Sequence, residues 1–119
     1  MKKNLKLFNI VMNMGDEIKD LLSYTKDINE EKFNEAKAEL ETTVESYNGI
    51  ADKYMEDSAK VSMEEVWDKF QIMLVNFQRY LTERTLLHLQ KKVYIAEDEE
   101  LKINHILDDL EFLTTKDED

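Results

Sequence analysis

Two histidines, twenty-seven carboxylates and no cysteine set the chemistry open to this 119-residue chain. Histidine titrates nearest to neutral pH, so His88 and His105 are the first candidates for acid–base work. His88 sits among leucines with Arg84 one turn before it, and His105 lies one turn before Asp108 and Asp109. Both fit a partly exposed helix histidine or one bonded to a neighbouring carboxylate. Ser23, Ser46, Ser58 and Ser62 have no placed base, and no Gly-rich phosphate loop occurs. The lack of cysteine excludes disulfides, thiolate metal sites and thiol nucleophiles, and agrees with a reducing cytoplasm.

Metal chemistry needs ligands at fixed helical spacing. Helical di-metal sites use Glu-x-x-His pairs on two helices, and neither histidine has Glu three residues before it. All-carboxylate magnesium sites of helical hydrolases need paired acids one turn apart on facing helices. Glu97-x-x-Glu100 and Glu65-x-x-Asp68 have the right letters in reversed order, and so acidic a chain produces such pairs by chance. The run from Glu97 to Glu100 also lacks the alternating ligands and Gly of an EF-hand loop. Helix capping explains it better. Arg84-Thr85-Leu86-Leu87-His88 is too closely spaced for the Arg–His motif of helical ribonucleases. The sequence thus names no catalytic residue, no metal ligand and no cofactor, and the expectation is that no metal is needed. A small all-α hydrolase with a carboxylate-bound divalent metal stands as the alternative to a binding protein.

Composition bounds the fold. Hydrophobic residues make up 42% of the chain and charged ones 36%, enough apolar material for one core. There is no proline, and Gly15 and Gly49 are the two glycines. All-β folds need many tight turns built from such residues, so an all-α fold is expected. The net charge of -11 repels phosphates and argues against direct nucleic-acid binding. The acidity reads either as solubility or as a surface that occupies a basic cleft by imitating nucleic acid. Met1 to Phe8 leads into no signal-peptide cleavage site, and no segment approaches the roughly 20 apolar residues of a membrane span. A soluble, cytoplasmic protein with no membrane partner is expected.

The elements that carry these residues are organised around one stretch, Ser62 to Tyr94. Ser62-Met63-Glu64-Glu65 is a helix-capping pattern, with Val61 and Val66 placed as a hydrophobic staple. Val66, Phe70, Met73, Phe77 and Tyr80 then recur at steps of four and three on one helix side. A second row (Met63, Trp67, Phe70, Leu74, Phe77, Leu81) widens that side. The apolar pattern lapses at Thr82 to Thr85, where a kink would fall, and two β-branched residues in Val93 to Ile95 place the end nearby. A first helix is expected from Lys3 to Tyr24 with the seam Leu7, Val11, Met14, Ile18 and Leu21. A second runs from an Asn29 cap to about Met55 on Phe33, Ala36, Leu40, Val44, Tyr47, Ala51 and Tyr54. Gly49 inside it marks either a close helix approach or a weak point. Asp98 caps a last helix over Glu99 to Leu113, with Ile103, Ile106, Leu107, Leu110 and Leu113 inward.

Short connections make this an antiparallel four-helix bundle with a long third helix. Residues 1–113 form one domain and 114–119 a frayed acidic tail. At 1.5 Å per residue the spine measures roughly 50 Å, so it kinks or overhangs. Two surfaces are candidates for a protein interface. Leu5, Phe8, Ile10 and Met12 fall outside the seam of the first helix, more apolar surface than one bundle normally covers. Arg79, Arg84, Lys91 and Lys92 make the end of the spine locally basic, for pairing with adjacent acidic helices or for docking an acidic partner. The function expected is non-enzymatic protein binding, as an adaptor, immunity protein or phage-type inhibitor, with a homodimer as the simplest partner arrangement.

Overall fold

A computed structural model describes residues 2–114 of the chain, with side chains from 6 to 113. Four helices follow one another: α1 (Lys2–Leu22), α2 (Glu31–Glu56), α3 (Met63–Leu89) and α4 (Glu97–Thr114), with a 3-10 turn over Ser23–Thr25. Among the described residues there is no strand. The tail beyond Thr114 and the side chain of Leu5 lie outside the described residues.

Each helix is antiparallel to the next. Phe33 and Tyr47 of α2 meet Tyr80 and Phe70 of α3, with ring centroids 5.1 and 5.7 Å apart. The α2–α3 pair is the most extensively packed, and α1 lies against both α2 and α4. Lys6 sits over the Phe112 ring at 4.6 Å, and Lys102 reaches Asp20 at 2.6 Å, so α4 runs back along α1 from one end to the other. The sequence seams meet in the middle. Val11, Met14, Ile18, Leu21, Phe33, Leu40, Tyr47, Val66, Phe70, Met73, Phe77, Tyr80 and Ile106 are all buried. Burying such side chains is the main drive for this fold, at about 1.5–3 kcal/mol each.

Helix ends test the sequence reading more sharply. Ser62 caps α3 as expected, its hydroxyl accepting the Glu65 N–H at 3.1 Å, and Val61 and Val66 both reach the core. At α2 the cap position belongs to Glu30 rather than Asn29, without a side-chain capping bond. Asn34 ties that turn down instead, accepting the Glu30 N–H at 3.3 Å and donating to the Ile28 carbonyl at 3.1 Å in its satisfied amide orientation. Helix α4 starts at Glu97, ahead of the expected Asp98 cap, with the Ala96 carbonyl accepting the Glu100 N–H at 2.9 Å. Its acidic first turn suits the positive end of the helix dipole.

The spine is shorter than its pattern suggested. It ends at Leu89, where Lys91 turns left-handed at φ 62. The Lys91 N–H reaches the His88 carbonyl and the Lys92 N–H the Leu87 carbonyl, both at 3.0 Å. This paired closure is the one that glycine usually provides after a helix, and the chain forms it without glycine. At about 40 Å, α3 fits within the 46 Å long dimension of the molecule and does not overhang it. Thr82 to Thr85 lie within unbroken helix, and the lapse in apolar pattern there has a different cause, the burial of Arg84.

The two glycines part company. A Cβ on Gly15 would overlap the Asn48 side-chain amide and come within 2.7 Å of the Tyr47 ring, so α1 and α2 cross closely there. Gly49 faces open space. The close approach belongs to Gly15, and Gly49 is the weak point.

Candidate binding surface

The structure uses most of the two candidate interfaces internally. On α1, Ile10 is buried in the core, Met12 packs against it, and the Phe8 ring lies 6.0 Å from that of Tyr54. The surplus apolar surface of that helix is covered largely by α2 and α4, because α1 has a neighbour on two sides. At the end of α3 the expected basic patch dissolves into pairs. Arg79 bonds to Glu39, Lys92 stands 3.9 Å from Glu30, and Lys91 is the exposed turn residue of the helix end.

Arg84 is a correction. Its side chain is 2% exposed and cannot meet an acidic partner. Nε and Nη2 donate to the two Glu99 carboxylate oxygens at 2.8 and 2.7 Å, and Nη2 also donates to the Tyr94 carbonyl at 3.0 Å. The physical reason is reach. Helix α4 begins beside the last turns of α3, and its first turn points Glu99 inward at the guanidinium. Next to this pair, the Tyr80 hydroxyl bonds to Thr25 Oγ1 at 3.1 Å, and Thr25 in turn donates to the Leu22 carbonyl at 3.0 Å. Burial pushes the Tyr80 phenol up to about 12, with the Thr25 bond pulling the other way. Burial also raises Tyr47, whose hydroxyl has no hydrogen-bond partner.

The larger unpartnered surface lies on the far side of α3. Because α4 leans on α1, it covers α3 only in part. A groove of about 280 Å³ opens between them, lined by Trp67, Phe70, Leu74, Val75, Leu110 and Leu113 with Gln71 and Gln78. It continues in character along the helix into a second groove of about 450 Å³ lined by Leu81, Thr82, Thr85, Leu86 and Leu89. Val75 is 65% exposed and Leu89 71%, with Ile72 and Leu86 also open to solvent. Trp67, Leu74 and Leu81 recur every seven residues, with Gln71, Gln78 and Thr85 four residues after each, the spacing of a helix-packing seam. Trp67, Leu74 and Leu81 pack against the core with one side, as the widened helix side implies, and line these grooves with the other. The signal for a separate face was present in the outlying Ile72, Val75, Leu86 and Leu89.

A cavity of about 540 Å³ between the end of α1 and α2 mixes Lys19, Lys26 and Lys37 with Glu41 and Glu45. It holds no histidine and no placed acid–base pair. The paired acids considered from sequence are not brought together. Glu65 and Asp68 stand at the start of α3, beside the end of α4, whereas Glu97 and Glu100 stand at the start of α4, roughly 30 Å along the bundle.

One polar cluster is assembled across helices. His105 of α4 places Nε2 3.5 Å from Asp109 Oδ2 on its own helix and 3.5 Å from Glu17 Oε2 on α1. Glu17 is raised above the usual carboxylate range by burial first and by the nearby Asp109 charge second, with His105 opposing. His88, by contrast, is exposed on the last turn of α3. Among the described residues no helix is long and apolar enough to cross a membrane. Comparison of the chain with protein-family models, curated proteins and solved structures gave no match, so the function rests on the surface itself.

Proposed function

We propose that this chain is a non-enzymatic binding protein that receives a helix of a partner protein along the outer face of α3. The observation that carries this is the run of exposed apolar side chains Ile72, Val75, Leu86 and Leu89 beside two shallow apolar grooves. Contiguous apolar surface on a small soluble domain is a common mark of an interface. An amphipathic helix presenting anchors at steps of three, four and seven would fit such a surface. The net charge of -11 would steer the encounter toward a basic partner and away from nucleic acid. An adaptor, an immunity protein or a phage-type inhibitor of a nucleic-acid-handling protein is the kind of activity this describes.

The test compares wild type with Val75→Glu and with Phe8→Glu in affinity capture from native-host cells, beside sedimentation of each purified chain. Val75→Glu should keep its helix content and lose the captured partner, while Phe8→Glu keeps it. A wild-type species near twice 14.2 kDa that Val75→Glu returns to monomer would make the partner a second copy. Partner loss on Phe8→Glu alone moves the interface to α1.

A further inference from the structure

We propose that Glu17, His105 and Asp109 bind one divalent transition cation of the Zn²⁺ class, which pins α4 to α1. The three donors come from two packed helices. His105 and Asp109 are one turn apart on α4 and so share a face, and Glu17 projects from α1 opposite them. Their ligand atoms all lie within 4.8 Å of one another, and the two distances from the imidazole are both 3.5 Å. An ion with bonds of about 2.0–2.1 Å in tetrahedral geometry holds its ligands roughly 3.3–3.4 Å apart. One ion therefore fits between these atoms with small side-chain adjustments.

A second observation points into the same spot. Glu17 Oε2 is shielded from solvent although its side chain is 27% exposed, and no N–H donor bonds to it, the imidazole at 3.5 Å included. A shielded carboxylate oxygen facing a second carboxylate is satisfied either by a proton shared between Glu17 and Asp109 or by a cation between them, and Lys102 is already committed to Asp20. A cation would satisfy Glu17 and Asp109 together. The donor set selects its class: an imidazole nitrogen suits zinc, cobalt or nickel, whereas magnesium and calcium favour oxygen alone. His105 is 65% exposed, so solvent can reach the centre and water can take a fourth position. The ligands were not legible as a motif because Glu17 is far from the other two in sequence.

The experiment uses the tag-free full chain stripped with a chelator and titrated with Zn²⁺, read by calorimetry and by melting temperature. Saturation at one ion per chain with a raised melting temperature is expected, and Mg²⁺ at equal concentration should do neither. Co²⁺ should develop the visible absorption of a tetrahedral site. His105→Ala and Glu17→Gln should each weaken Zn²⁺ binding by more than about tenfold. His88→Ala, which changes the other histidine, should leave it intact. Absence of saturable binding, equal stabilisation by Mg²⁺, or Zn²⁺ affinity unchanged in His105→Ala would each overturn the site, leaving only diffuse attraction to an acidic surface.

Discussion

A guanidinium sealed inside a helical bundle needs acceptors for its donors, and Arg84 finds three hydrogen bonds while its Nη1 finds none. Removing one member of such a pair strands the other charge. Arg84→Met should therefore cost about 3–5 kcal/mol, with Glu99 left buried and unpaired. The double variant Arg84→Met, Glu99→Leu should recover most of that loss, because both desolvation penalties disappear together. Urea titrations of the two single variants and the double variant measure this directly, and additive losses would mean the pair is not coupled. The sequence revealed the position of this site but not its nature. The lapse at Thr82 to Thr85 was legible; its cause was not, since the partner carboxylate lies across a turn on another helix and was one acid among many. Ser62 was legible for the opposite reason: its bond is local, three residues long.

At the scale of elements, the seams were readable because helical burial repeats with the helix itself. Helix ends were less so. Lys91 takes a left-handed conformation with no glycine to announce it, so nothing in the sequence stopped α3 short of Tyr94. The two glycines give opposed expectations for one substitution. Gly15→Ala pushes a methyl group into Asn48 and Tyr47 and should destabilise by about 1–3 kcal/mol. Gly49→Ala meets open space within α2 and should stabilise by about 0.5–1 kcal/mol. Thermal melts of the two variants should move in opposite directions. The second row of α3 packs against the core as its spacing implied, but the exposure of Ile72, Val75, Leu86 and Leu89 beside it was not legible, because periodicity reports that a side is apolar and not what covers it.

For the whole molecule, helix number and order followed from composition and stripes, whereas the Glu17–His105 contact required knowing that α4 folds back on α1. Stability at high pH is likewise a property of the assembly. The Tyr80 phenol titrates near 12 when folded against 10 when exposed, and Tyr47 is raised as well. Folding therefore favours their protonated forms. That contribution is complete below pH 10 and is lost as pH climbs from 10 toward the folded values. Denaturant midpoints should fall over this range, and tyrosinate absorbance from buried rings should appear together with loss of helix. Ionisation of all five tyrosines in the still-folded chain would contradict this.

The placement of α4 against α1 also sets an order in time. Helices α2 and α3 are neighbours in sequence and pair as soon as both exist, with only a short loop to close. One flank of α1, by contrast, stays bare until the fourth helix has been made and has travelled back past the completed hairpin. During synthesis that flank is the stretch most open to chaperones. In the finished molecule, release of α4 would bare that flank again and break the buried Arg84–Glu99 pair, while the packing of α2 on α3 stays in place.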